Sequence, residues 1–102
     1  MKKVKLKLSD SQMKALLLMI NTVGINIELN ELEDFALKEQ YTKLFIKLQV
    51  RCLSLKPKNN SLKLSLTEAW AVDNLKFSVT EGYELCVIKA IVRDIEQQIV
   101  SF

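Results

Sequence analysis

The sequence predicts an α+β domain that is predominantly α, made of tandem β-α-α units with a two-stranded antiparallel ribbon packed on a helical layer. Two segments alternate strictly between apolar and polar residues, which is the pattern of a strand buried on one face. Each is followed by two stretches in which apolar residues recur at helical spacing. We expect a single domain over residues 1–102, with pseudo-repeats 1–55 and 61–102 joined by a turn at 56–60.

The composition limits the classes to which the protein can belong. Of its 102 residues 49% are hydrophobic and only two are glycine and one proline, which predicts one core and no long linkers. The longest apolar stretch, Ala15 to Ile20, is far shorter than the ~20 residues that cross a bilayer, and no secretory signal follows the first lysines. Cys52 and Cys86 lack CxxC spacing and each falls on the apolar side of a predicted helix, which favours free buried thiols over a disulfide. We therefore expect a cytoplasmic protein that does not bind membranes.

The first unit begins with an alternating strand over residues 3–8. Ser9 and Gln12 form a capping-box pattern, in which each side chain bonds an amide of the other's backbone, so a helix should begin there. Gly24 is expected to end that helix in the left-handed conformation. The strand residues predicted to face inwards are Val4, Leu6 and Leu8.

A long second helix is predicted to follow. Asn30 and Glu33 repeat the capping pattern, and helical periodicity continues to about residue 55. The helix has two apolar stripes on nearly opposite sides, which is typical of a helix placed between two neighbours or at a subunit interface. One stripe consists of Leu37, Tyr41, Leu44, Leu48, Cys52 and Leu55; the other consists of Phe35, Ile46, Val50 and Leu53.

The second unit repeats the order of the first. Residues 62–66 alternate as a strand, and Thr67 is expected to cap a short helix. The last helix should begin near Ser78, which has Glu81 three residues further on, or at the rival cap Thr80, and it should continue to the C-terminus. The strands align at an offset of 58 residues and the long helices at 48, so internal duplication stays open as a hypothesis. The seam of the last helix is Leu85, Ile88, Val92, Ile95, Ile99 and Phe102.

The polar positions of both strands predict one outward face, which consists of Lys3, Lys5, Lys7, Ser61, Lys63 and Ser65. This pattern resembles the ribbon-helix-helix family of DNA-binding proteins, in which two strand-helix-helix chains dimerise and their ribbon enters the major groove. The resemblance implies that the outward side chains face the bases and that Asn30, at a helix start, lies near a phosphate. The candidate nucleic-acid-binding residues are Lys3, Lys5, Lys7 and Lys63.

Apolar residues in excess of one seam predict a protein interface. Every position from Ala15 to Ile20 is apolar, and the long helix carries its second stripe. An excess that is left exposed usually marks an interaction surface. The favoured interpretation is therefore a non-enzymatic interaction module that binds itself, as a homodimer, or another protein. The alternative is a DNA-binding transcriptional regulator. The candidate interface residues are Leu18, Met19, Ile46, Val50 and Leu53.

No residue pattern indicates catalysis. The chain has no histidine, no glycine-rich phosphate loop and no nucleophile elbow. Four carboxylates between Glu28 and Asp34 surround a predicted helix start, where negative charge stabilises the helix dipole. Trp70 is interpreted as a core residue. We therefore expect no enzymatic activity, no cofactor, no metal site and no small-molecule ligand.

Overall fold

The computed structural model describes residues 2–101, and most of these residues are helical. The strands are antiparallel and form one two-stranded sheet. This confirms the predicted class, α+β with tandem β-α-α units. The elements in chain order are β1 (Val4–Leu8), α1 (Asp10–Met19), a π turn (Ile20–Gly24), α2 (Leu32–Arg51), a 3-10 turn (Cys52–Ser54), β2 (Asn60–Leu64), α3 (Leu66–Asn74), a 3-10 turn (Leu75–Phe77) and α4 (Gly82–Val100).

The ribbon is symmetric about Leu6 and Leu62, which lie directly opposite each other. In each strand the first, third and fifth residues are buried and the two between them are exposed. Ser9 and Ser65 occupy the equivalent place after the two strands, and each hydroxyl accepts a hydrogen bond from the amide three residues later. The first halves of the units therefore correspond at an offset of 56 residues, and the predicted offset of 58 is wrong.

The second strand ends earlier than its leucine alternation predicts. Ser65 caps α3, and the Glu68 carboxylate completes the capping box by accepting from the Ser65 amide at 2.9 Å. Thr67, the predicted cap, lies inside the first turn of the helix. Leu66 becomes the first helical residue and is 47% exposed. The capping box overrides the alternation because it satisfies two backbone amides that would otherwise have no partner.

Asn60 occupies the inward position at the start of β2 and is the buried polar residue of the described chain. Its side-chain Nδ2 donates to the carbonyls of Leu8 and Lys56, at 3.0 and 2.7 Å, and its Oδ1 accepts from the Lys56 amide at 2.8 Å. The preceding Asn59 has a φ of 62°, in the left-handed region that asparagine tolerates. These bonds tie the turn to the end of β1 and fix where β2 begins.

Gly24 does not take the left-handed conformation that was predicted for it. The chain leaves α1 through the π turn instead, and the backbone of Gly24 lies against the ring of Tyr41. A Cβ atom at position 24 would lie 2.8 Å from the Tyr41 Cγ atom. The Tyr41 hydroxyl donates to the Ala71 carbonyl at 2.6 Å, and burial raises the pKa of this phenol, so it remains a neutral donor. The glycine is therefore required for close packing.

Both units contribute to one hydrophobic core. The buried stripe of α2 is the predicted one at Leu37, Tyr41, Leu44 and Leu48, while Cys52 and Leu55 are half-buried. In α4, Ile88 and Ile95 are buried, Leu85 and Val92 pack partly against the core, and Ile99 is 44% exposed. Phe102 lies outside the described residues. Trp70 packs partly against the core, as expected. Among residues 2–101, no helix is both long and apolar enough to span a membrane.

The capping assignment predicts that Ser65→Ala lowers the free energy of unfolding by about 1 kcal/mol, because the Glu68 amide loses its acceptor. Thr67→Ala removes a hydroxyl that contacts the Ser65 hydroxyl at 3.1 Å but accepts from no backbone amide, and it should change that free energy by less than about 0.5 kcal/mol. Urea denaturation of the two variants measures both values. Equal losses in the two variants would contradict the assignment of the cap.

The contact between Gly24 and Tyr41 predicts that Gly24→Ala lowers the free energy of unfolding by about 1–3 kcal/mol, because the anchored ring cannot move away from the new methyl group. In a Tyr41→Leu background the same substitution should be much less destabilising. A double-mutant cycle by urea denaturation measures this coupling. The same loss in both backgrounds would show that the ring is not the obstacle.

Candidate binding surfaces

The ribbon presents one exposed, positively charged face. Lys5, Lys7 and Lys63 point outward from the strands, and Lys3 directly precedes β1 and is also exposed. We call these four residues the lysine face. Lys5 lies directly opposite Lys63, and Lys7 lies opposite Ser61. The structure therefore brings together all four lysines that the sequence analysis selected.

A side chain of α4 bonds the outer edge of β1 at Lys5. The Gln98 Oε1 atom accepts from the Lys5 amide at 2.9 Å, and Gln98 Nε2 donates to the Lys5 carbonyl at 2.7 Å. The same Nε2 also donates to Asp94, which orients the amide group. Both backbone groups that Lys5 directs away from β2 are thus satisfied from within the chain.

Two cations of α2 bond the carbonyl groups on the outer edge of β2. Lys47 donates to the Lys63 carbonyl, and the Arg51 Nη2 atom donates to the Ser61 carbonyl at 2.6 Å. Lys47 also pairs with Glu68 at 3.4 Å. The sequence analysis missed the hydrogen bonds that α2 and α4 make to the edges of the ribbon. These bonds join residues far apart in the chain and leave no local pattern.

The hydrogen bonds at the edges of the ribbon change the interpretation of the lysine face as a device against edge-to-edge pairing. Lysines on an exposed strand ordinarily prevent edge-to-edge pairing with other sheets, but here the Lys5 amide and the carbonyls of Lys5, Ser61 and Lys63 already have partners. Lys5 and Lys63 also belong to a non-hydrogen-bonded pair, in which opposite side chains are closest, so their charges repel each other. Within the described chain no carboxylate forms an ion pair with any of the four lysines. The face therefore carries uncompensated positive charge.

Two other positions of the predicted nucleic-acid set are not where the resemblance implied. Ser65 uses its hydroxyl to cap α3 and does not belong to the strand. Asn30 precedes the start of α2, whereas the part of α2 beside the ribbon begins at Lys47, roughly 22 Å further along the helix axis at 1.5 Å per residue. Asn30 also has Asp34 as a neighbour, since the backbone amide of Asn30 donates to the Asp34 carboxylate at 3.0 Å. A phosphate bound to the ribbon would not reach it.

The second candidate surface is the outer face of α2. Ile46, Val50 and Leu53 are 59%, 63% and 87% exposed, so the second stripe of the helix is not covered by this chain. Leu18 is exposed but lies elsewhere, in a groove between α1 and α2 beside Phe45. Met19 was predicted to be at the interface; this is wrong, because the helical turn directs it into the core, where it is 1% exposed.

No protein-family model, no curated protein and no solved structure matches this chain. What it binds must therefore be inferred from its own two surfaces.

The ion pairs of Lys76 have a structural explanation. Lys76 pairs with Asp73 at 3.0 Å and with Glu96 at 3.1 Å, which joins the turn after α3 to α4 and raises the pKa of the Lys76 ammonium group. Cys52 and Cys86 are free thiols. Across residues 2–101 no group of three or more candidate ligands is arranged to hold a metal ion.

The register of the ribbon predicts that Lys5→Glu stabilises the fold. It replaces a like-charge pair with an ion pair to Lys63, which should raise the free energy of unfolding by roughly 0.2–1 kcal/mol at low salt. Lys7→Glu should gain less, since its opposite residue is Ser61. Urea denaturation at low and high salt measures both effects. A loss of stability in Lys5→Glu would contradict the cross-strand repulsion.

Proposed function

We propose that this protein is a non-enzymatic binding module whose lysine face binds duplex DNA. The observation that carries this proposal is that four lysines, which pair with no carboxylate of residues 2–101, cover a ribbon whose edges already have partners from α2 and α4. Their repulsion opposes folding, and a polyanion bound to the face would relieve it. The free thiols support the reducing cytoplasm as its compartment.

The shape of the ribbon also supports this function. A two-stranded ribbon fits the major groove of B-DNA, and here it stands on a layer of helices that leaves its outer face open. Its outward residues are lysine and serine, without the arginine, asparagine or glutamine that read bases by bidentate hydrogen bonds. Binding should therefore be dominated by phosphate contacts and show little sequence preference. The tandem β-α-α order supports the resemblance to ribbon-helix-helix proteins, whereas the position of Asn30 departs from it.

The test is a titration of a short labelled DNA duplex at several salt concentrations. If all four lysines contact phosphates, log K should fall against log salt with a slope of about −3 to −4, since each neutralised phosphate contributes about −0.9. The Lys5→Glu, Lys63→Glu double variant should not bind, because it reverses the charge at the centre of the face.

The matched control is Lys89→Glu with Arg93→Glu, which changes the net charge equally at exposed positions of α4 outside the lysine face. This control should bind close to the wild type, apart from a small general effect of net charge. Equal loss of binding in both double variants would show that net charge alone attracts DNA. No binding by the wild type at low salt would reject the function.

A second function, self-association, is favoured by a separate observation. Large apolar side chains stay exposed along the outer face of α2, at Phe35, Ile46, Val50 and Leu53, and such a surface usually marks a protein interface. We propose that this face joins two copies of the chain. Sedimentation equilibrium over a range of concentrations tests it, and a strict monomer at high micromolar concentration would reject it.

A further inference from the structure

The exposed residues of α2 have a regular spacing that also includes residues outside the apolar stripe. They recur at alternating four- and three-residue steps, which is the heptad spacing of a coiled-coil seam. All of them are exposed in this chain. We call them the α2 seam: Leu32, Ala36, Glu39, Lys43, Ile46, Val50 and Leu53.

The α2 seam lies on the side of the helix opposite its own core. The buried stripe of α2 runs from Leu37 to Leu48, and at about 100° per residue its centre is nearly half a turn from the centre of the seam. The helix therefore packs fully against its own chain while presenting a complete seam to solvent. Leu32, near its N-terminal end, is 88% exposed, and Leu53, just past its C-terminal end, is 87% exposed.

The residues of the α2 seam are complementary to those of a second copy that runs in the opposite direction. In an antiparallel pair centred at the level of Tyr41, Leu32 lies opposite Val50 of the second copy, and Ala36 lies opposite Ile46. Glu39 then lies opposite Lys43. Each of these layers joins an a position to a d position, as antiparallel coiled coils require, and the symmetry repeats every contact twice.

Other arrangements of the same seam are disfavoured by charge. A parallel pair would place Glu39 opposite Glu39 and Lys43 opposite Lys43. An antiparallel pair shifted by one heptad would place Glu39 opposite Val50 or Ala36, which buries a charge against an apolar side chain. Only the register centred at Tyr41 places apolar residues opposite apolar ones and the carboxylate opposite the ammonium group.

We propose that a second copy of this chain occupies the α2 seam in that antiparallel register, with two Glu39–Lys43 pairs across the twofold axis. In the single chain Glu39 and Lys43 already form an ion pair at 3.2 Å, and their side chains are 67% and 62% exposed, so both are free to turn to a second copy. The proposal rests on the proposed self-association and adds its partner, orientation and register.

The test exchanges charges and measures the dimer dissociation constant by sedimentation equilibrium. Glu39→Lys alone, or Lys43→Glu alone, places two like-charge pairs at the centre of the dimer and should weaken it roughly tenfold. An equimolar mixture of the two variants should form a heterodimer of near wild-type affinity, because each introduced charge then meets its opposite. Both substitutions in one chain should restore the homodimer in the same way.

The controls separate this register from self-association in general. Val50→Glu should abolish the dimer, and Lys89→Glu on α4 should leave it unchanged; circular dichroism confirms that each variant folds. If the wild type dimerises but the single charge variants dimerise equally well, the register is wrong while self-association stands. If the heterodimer in the mixture is no tighter than the homodimer of each variant alone, the register is likewise wrong. If the wild type is monomeric at high micromolar concentration, both proposals fail.

Discussion

The pairing of β1 with β2 about Leu6 and Leu62 is the constraint on which the rest of the fold depends. Two isolated five-residue strands are weak in water, so the ribbon must pack its inward face on helices from both units to be stable. The same pairing determines which backbone groups point outward at each edge, and therefore where Gln98 and Arg51 must lie. The two helices meet this requirement differently: α4 packs close to β1 and uses one glutamine, whereas α2 reaches β2 with the longer side chains of Lys47 and Arg51.

Patterns that depend on neighbouring residues could be predicted from the sequence. The alternation in β1, the capping box of Ser9 and the buried stripe of α2 all arise within a few residues, and the structure confirms each. Errors arose where two local patterns competed or a distant residue decided the outcome. Ser65 and Thr67 can both precede a helix, and the position of Glu68 decides between them. The conformation of Gly24 depends on a ring that lies seventeen positions further along the chain.

The candidate surfaces likewise have features that the sequence predicts and features that it does not. The lysine face follows from strand alternation, so its members could be identified before the structure was known. The partners at the edges of the ribbon could not be identified from the sequence, because the bond between Gln98 and Lys5 joins residues at almost opposite ends of the chain. Met19 was misplaced because a uniformly apolar helix gives no indication of which side faces the core. The heptad spacing of the α2 seam was present in the sequence, but its central charged pair obscured it among the apolar residues.

The helix α2 serves both surfaces with different residues. Lys47 and Arg51 point to the edge of β2, whereas the α2 seam points to solvent, so occupation of one surface need not disturb the other. A dimer joined at the seam would carry two lysine faces on rigid supports. A single face offers few charges, and its affinity for a polyanion should be modest and sensitive to salt. Two faces held together would bind one duplex with higher affinity than either face alone if the geometry lets both reach it, because the second contact becomes intramolecular. Self-association would therefore strengthen DNA binding without any additional residue on the ribbon.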